Sequence, residues 1–265
     1  LIMATSVVSS ITRMGTIEPF ELQVARGQIT MHSSFCQFGI NTNVAQSAET
    51  VWIGSSVYSF PAAASVIKVS SSSADDASAG TGARTIAIFG LDSNYNEISE
   101  SVLLDGQTAV NTGNSYLRIN KIFVLTAGSG GASAGTIYAG TGTVTAGVPA
   151  VVVNQTGSAS NESESAFYTI PAGYTGYIYR YTVSSGNSTA DAYSTFQLRV
   201  RPFGGVFGTK SYLITPGSGL YECEAAIPNA CPEKCDIEVR AFTSAGTAVV
   251  SAQLQMMLIK NNGQS

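Results

Sequence analysis

"STFQLRVRPF", residues 194–203, sends Phe196, Leu198 and Val200 to one side and Gln197, Arg199 and Arg201 to the other. Successive side chains of an extended chain point to opposite faces, so an apolar residue at every second position marks a strand with one dry and one wet side. The same period recurs nearby. "CDIEVRA", residues 235–241, sets Ile237 and Val239 against Asp236, Glu238 and Arg240. In "VVSAQLQMMLIK", residues 249–260, Val250, Ala252, Leu254, Met256 and Leu258 share a face. With "YTGYIYRYTV" (174–183) and the segment around Tyr212 and Leu213, six or seven such strands follow residue 165. Half-wet strands in that number predict a β-sandwich of jelly-roll type.

Upstream the runs are shorter but of the same kind. "ARTIAIFGL" (83–91) and "EISESVLL" (97–104) alternate around "DSNYN" (92–96), which has the size and composition of a hairpin turn. "SYLRINKIFVLTA" (115–127) and "GTIYAGTGTV" (135–144) continue the series, and residues 70–82, "SSSSADDASAGTG", are a loop by composition. The polar, Ser-rich run Asn154–Ser165 marks a boundary. Residues 1 to about 40 show no sustained period. The fold expected is therefore all-β, with two β-sandwich (jelly-roll-like) domains, 41–153 and 166–265, joined by a polar linker, 154–165. An extended N-terminal arm, 1–40, precedes them, with one short strand at Phe20–Val24.

Composition narrows the function. Of 265 residues 44% are hydrophobic and only 11% charged, with 27 glycines, a balance that favours strands and turns. The net charge is −4, and neither half has a basic excess (6 basic against 9 acidic residues through 150, then 7 against 8), so no nucleic-acid partner is expected. No apolar run approaches the length of a membrane-spanning helix, and no basic n-region precedes an apolar core, so neither a membrane partner nor a signal peptide is expected.

The search for chemistry returns little. His32 is the only histidine and sits in the unpatterned arm, four residues from Cys36, a separation of over ~10 Å in an extended chain. Cys223, Cys231 and Cys235 crowd into "YECEAAIPNACPEKCD" without two C-x(2–4)-C pairs or added histidines, so no metal site is expected. A disulfide among the three and fully reduced thiols both remain open. "FGTKS" misses the phosphate-binding loop, and no serine has nucleophile-elbow flanks. The acids Asp92, Glu97, Glu100 and Asp105 fall at the turn and exposed side of a hairpin, where a half-buried sheet places charge. The alternative use, a hydrolase carboxylate pair, needs a cleft. No catalytic residue, no cofactor and no enzymatic activity is expected. Tyr177, Tyr179 and Tyr181 are predicted to line one face, either as a glycan-stacking platform or, more commonly for aligned aromatics, as packing.

Two blocks carry a resemblance: "GTGARTIAIFGLDSNYNEISESVLLDGQTAVNTGNSYLRINKIFVLTAGSGGASAGTIYAGTG", and "YTIPAGYTGYIYRYTVSSG" with "FQLRVRPFGGVFGTK" and "CDIEVRAF". They resemble proteins encoded among the virion genes of marine tailed bacteriophages, cyanophages included, over roughly residues 37–260. The resemblance implies a β-rich particle component, a capsid decoration or cement protein, or else a tail fibre, spike or adaptor. The implied partners are the major capsid protein or other virion proteins, with self-association, a trimer favoured, and assembly in the host bacterial cytoplasm. Within the arm, Phe20, Leu22 and Val24 are the candidate attachment residues, since an extended segment can add a strand to a partner's sheet.

Overall fold

The computed structural model describes residues 12–13 and 16–261, and it is all-β. A two-strand ribbon, β1 (Thr12–Arg13) and β2 (Thr16–Ile17), leads to one short helix, α1 (Phe20–Ala25). Then come β3 (His32–Val44) and β4 (Glu49–Thr50). Seven strands follow: β5 (Ser65–Ser71), β6 (Ala83–Leu91), β7 (Glu97–Leu103), β8 (Val110–Tyr116), β9 (Arg118–Ala127), β10 (Ile137–Thr145) and β11 (Val148–Gln155). The chain ends through β12 (Phe167–Thr169), β13 (Tyr174–Asn187), β14 (Tyr193–Arg201), β15 (Gly208–Pro216), β16 (Gly219–Cys231), β17 (Asp236–Thr243) and β18 (Ala248–Lys260).

Strands from both ends of the chain build one sandwich. One sheet runs β16-β13-β18-β3, the other β12-β17-β14-β15, with β4 also on β17. β4 and β12 occupy successive stretches of the same edge of β17: β4 pairs with Arg240 and Ala241, β12 with residues 236–238. Val51 N–H donates to Val239 (2.8 Å), Ala166 N–H to Val51 (2.9 Å) and Val239 N–H to Ala166 (2.9 Å), which closes the seam between them. Counted as one interrupted strand, β4/β12 completes two four-stranded sheets in jelly-roll order. Phe196, Leu198, Ile237, Val239, Leu254 and Met256 fill the space between the sheets.

The remaining strands form a second sandwich inserted into that interrupted strand. β11-β10-β5-β8 faces β7-β6-β9 over Ile67, Ile86, Ile88, Ile119, Ile122 and Ile137. The chain leaves the jelly roll at Trp52 and returns at Ser165, which bridge each other. Gly39 of β3 backs onto this exit: a Cβ there would stand 2.2 Å from the Ala166 nitrogen and 2.3 Å from the Val51 oxygen, so only glycine lets the three backbones meet.

Three expectations are corrected. The strand at Phe20–Val24 is a helix. Pro19 precedes its first residue, and Gly27 (φ 67°) ends it with Gly27 N–H bonding Val24 and Gln28 N–H bonding Gln23, a Schellman cap. Residues 32–40 of the supposed arm are an integral edge strand paired along β18. Residues 154–165, expected to be a linker, are pinned to the inserted sandwich. Asn154, Thr156, Ser163 and Ser165 are fully buried, and Thr156 and Ser163 N–H groups bond Ile137 and Ile122. Their side chains are polar because they satisfy backbone groups and not because they face water.

Candidate functional site

The junction of the two sandwiches is the most elaborated polar region among the described residues. Alternation in β17 puts Asp236 and Glu238 on a wet side, yet they are 4% and 0% exposed. Their face is flanked in-sheet by Thr50 of β4 and Thr169 of β12, and Arg118 of the inserted sandwich reaches over it. A buried carboxylate must be paired and hydrogen-bonded to persist. Arg118, from β9 of the inserted sandwich, grips Asp236 with both ends of its fork (Nε to Oδ1 3.0 Å, Nη2 to Oδ2 3.2 Å). Arg201 Nε donates to Oδ2 at 3.0 Å, and the Thr169 hydroxyl donates to Oδ1. Glu238 takes Arg199 Nη1 at 2.8 Å, has Arg240 Nε 2.9 Å away, and accepts the Thr50 hydroxyl at 3.2 Å.

Aromatic rings interleave with the cations. In order they run Phe207, Arg201 (4.7 Å), Phe60 (5.1 Å), Arg118 (5.3 Å), Tyr95 (5.7 Å), Lys234 (5.9 Å) and Phe203 (5.3 Å), each distance taken to the preceding ring or from the ring to the preceding cation. Four guanidinium groups thus meet two carboxylates, and ring faces take up part of the remaining positive charge. Chemically this arrangement is a clamp. It fixes the orientation of the insert on the jelly roll.

Beside the clamp lies a cleft of about 580 Å³ between β3 and the outer face of β6, β7 and β9. Phe35, Cys36, Phe89, Glu97, Phe123 and Tyr168 line it, and Lys121 at its wall pairs with Glu162 at 2.9 Å. Burial first, then the neighbouring Glu97 and Tyr174, push the Tyr168 hydroxyl above its ordinary range. The size and lining suit a small ligand with an apolar face.

The carboxylates picked out from the sequence take separate places. Asp92 caps its own turn, accepting the N–H groups of Asn94 and Asn96 and the Asn96 side chain. Glu100 bridges to β8 through the N–H groups of Gly113 (2.7 Å) and Asn114 (3.0 Å). Asp105 pairs with Ala77 and Thr108 in isolated bridges, and Glu97 alone of the four lines the cleft. Desolvation opposes ionisation of Asp92, but its three hydrogen bonds outweigh it and hold the carboxyl below 3.8. A depressed folded value stabilises above the unfolded one. The advantage of wild type over Asp92→Asn, roughly 0.5 kcal/mol or less at so exposed a site, should therefore be constant above pH 3.8 and vanish as pH falls through the folded value. Urea titrations of both proteins across that range test it; a difference that grows on acidification would refute it.

The tyrosine ladder is broken. A β-bulge at Tyr179 shifts the register between Ile178 and Arg180 against both neighbouring strands. Tyr177 and Tyr179 stay half-buried on the outer face, whereas Tyr181 turns into the core, 3% exposed. Val24 is buried on α1, while Phe20 and Leu22 remain exposed, with Phe20 edge-on to His32 at 6.0 Å. The sequence pattern also missed an open edge. Tyr221 and Cys223 of β16 point inward by register, opposite Val183 and Tyr181, yet both are exposed; on the facing edge strand β15 Leu213 points inward, and Tyr212 and Ile214 are exposed on the outer face. Here the jelly-roll core is not fully closed.

No protein-family model matches the chain, and no curated protein sequence matches it. Among solved structures, it is similar to the VP2 subviral particle of infectious bursal disease virus, at 10% identity over 93% of this chain and 79% of that one, TM-score 0.24. The Gx strain of the same virus gives 10% identity, 96% and 84% coverage and TM-score 0.22; the Gt strain gives 12%, 93% and 78%, and 0.19. Overlaps this loose leave the architecture to be defined by the strand order above. Among the described residues no helix is long and apolar enough to cross a membrane.

Proposed function

We propose that this chain is a non-enzymatic structural protein of a tailed-bacteriophage virion, a decoration or cement protein bound to the outer capsid surface. The observation that supports it most is the jelly-roll strand order with a second sandwich clamped into it, an architecture suited to passive load-bearing and common in capsid domains. The clamp keeps the two units in one orientation, as a lattice component requires. The open edge between β15 and β16 supports self-association, because exposed strand edges with apolar side chains seek a partner and closed symmetry satisfies them all. A trimer seated on the major capsid protein fits that geometry.

The cleft wall of Phe89 and Phe123 favours a second reading, a tail fibre, spike or adaptor touching host glycans. Stoichiometry separates the two. Decoration of a lattice predicts on the order of hundreds of copies per particle, whereas about a dozen or fewer would reject it in favour of a tail part. Quantitative mass spectrometry of purified virions supplies the count.

A further inference from the structure

The jelly-roll sheets are joined at one end by a turn flanked by cysteines. Cys231 is the last residue of β16, in one sheet, and Cys235 immediately precedes β17, in the other. Both thiols are free, both are buried in the same core cluster, 1% and 0% exposed, and only three residues separate them across one tight turn. The turn between them is tightly held. Cys235 N–H bonds Pro232 (3.3 Å), Lys234 (φ 62°) bonds Ile170 (2.9 Å), Ile170 bonds Cys235 (2.9 Å), and Glu233 accepts the Gly173 N–H. The other two cysteines, Cys36 and Cys223, are exposed and lie on different strands.

We propose that Cys231 and Cys235 are a cross-linking site, oxidised to a disulfide by a small peroxide once the protein leaves a reducing environment. A peroxide is the suitable oxidant because it is small enough to reach a thiol that is almost completely covered. The adjacent Cys235 thiol first, then Lys210, draw the Cys231 thiol below its ordinary value against its burial, whereas the Cys235 thiol is pushed up, so Cys231 is the attacking sulfur. Its thiolate displaces hydroxide from hydrogen peroxide to give a sulfenic acid. The Cys235 sulfur then attacks that sulfur, the S–S bond forms, and water leaves with the Cys235 proton. The peroxide is reduced and the two thiols are oxidised. The product ties one sheet to the other beside the clamp, since Asp236 is the next residue and Lys234 stacks on Tyr95 and Phe203. The chemistry does not depend on the virion reading, although that reading supplies the change of compartment.

Purified full-length protein, reduced and then alkylated while folded so that Cys36 and Cys223 are blocked, is treated with hydrogen peroxide. It is next unfolded and exposed to a second alkylating reagent. The expected result is no second label on Cys231 or Cys235, a cross-linked peptide containing both, and a thermal midpoint raised by roughly 3–6 °C over the reduced form. Cys231→Ser and Cys235→Ser should each abolish both the cross-link and the rise while melting close to reduced wild type. Both thiols taking the second label, or oxidation stopping at sulfinic acid without a cross-link, would overturn the proposal. A cross-link that leaves the midpoint unchanged would refute its stabilising role. Since this experiment needs no virion, its failure would leave the copy-number test untouched.

Discussion

Replacing Asp236 by alanine is expected to lower the unfolding free energy by about 3–5 kcal/mol. Arg118, itself 4% exposed, would lose its only carboxylate partner among the described residues and keep a buried charge, while Arg201 would lose its own. The effect exceeds what the pair contributes, because desolvating two ions consumes most of their attraction. Substituting both members with apolar residues, Asp236→Leu with Arg118→Met, should therefore recover a large part of the loss. Trp52 offers a direct readout. It is the sole tryptophan, buried at the exit of the insert against Tyr58 and Phe167. Its fluorescence in a urea titration follows the junction itself. A loss below about 1 kcal/mol in Asp236→Ala, the range of exposed ion pairs, would show that the clamp carries no weight.

Asp76→Ala should be comparably severe, about 3–5 kcal/mol, but confined to the inserted sandwich. This carboxylate lies wholly buried inside a segment whose composition reads as a solvent loop. It accepts the N–H groups of Ala83 (2.7 Å), Ala134 (2.8 Å) and Gly135 (2.9 Å) and the hydroxyl of Ser71 (2.5 Å), while its own carbonyl accepts Gly106 N–H (2.8 Å). Truncation leaves four donors dry at once. Hydrogen exchange should then rise first around residues 72–83 and 128–137, ahead of any change at Trp52. Equal protection in the variant and wild type would disprove the role of Asp76 as the organiser of these loops.

The strands of the second half were legible because their buried faces are apolar and alternate, as in Phe196, Leu198 and Val200. β3 was not, although it is thirteen residues long. Its inward residues Gln37, Gly39 and Asn41 are polar or small because they serve the junction: Gln37 Nε2 bonds the carbonyls of Ser165 (2.6 Å) and Asn120 (3.2 Å), and Asn41 Nδ2 bonds Glu49 (3.1 Å). No hydrophobic period survives such a role. The interrupted strand was equally hidden, since its halves are separated by more than a hundred residues and neither is long enough to show a period. Asp236 and Glu238 were correctly placed on the face opposite the core, but what covers that face comes from a distant segment. The bulge at Tyr179 has no local signature, and it decided the fate of the tyrosine row.

The seam where Val51 and Ala166 share one backbone hydrogen bond has an evolutionary consequence. A segment whose two ends coincide in space can be lost, lengthened or exchanged by recombination without moving the frame that hosts it. In this chain such an exchange must also bring a cation to Asp236, so lineages that trade the cassette should trade its arginine with it.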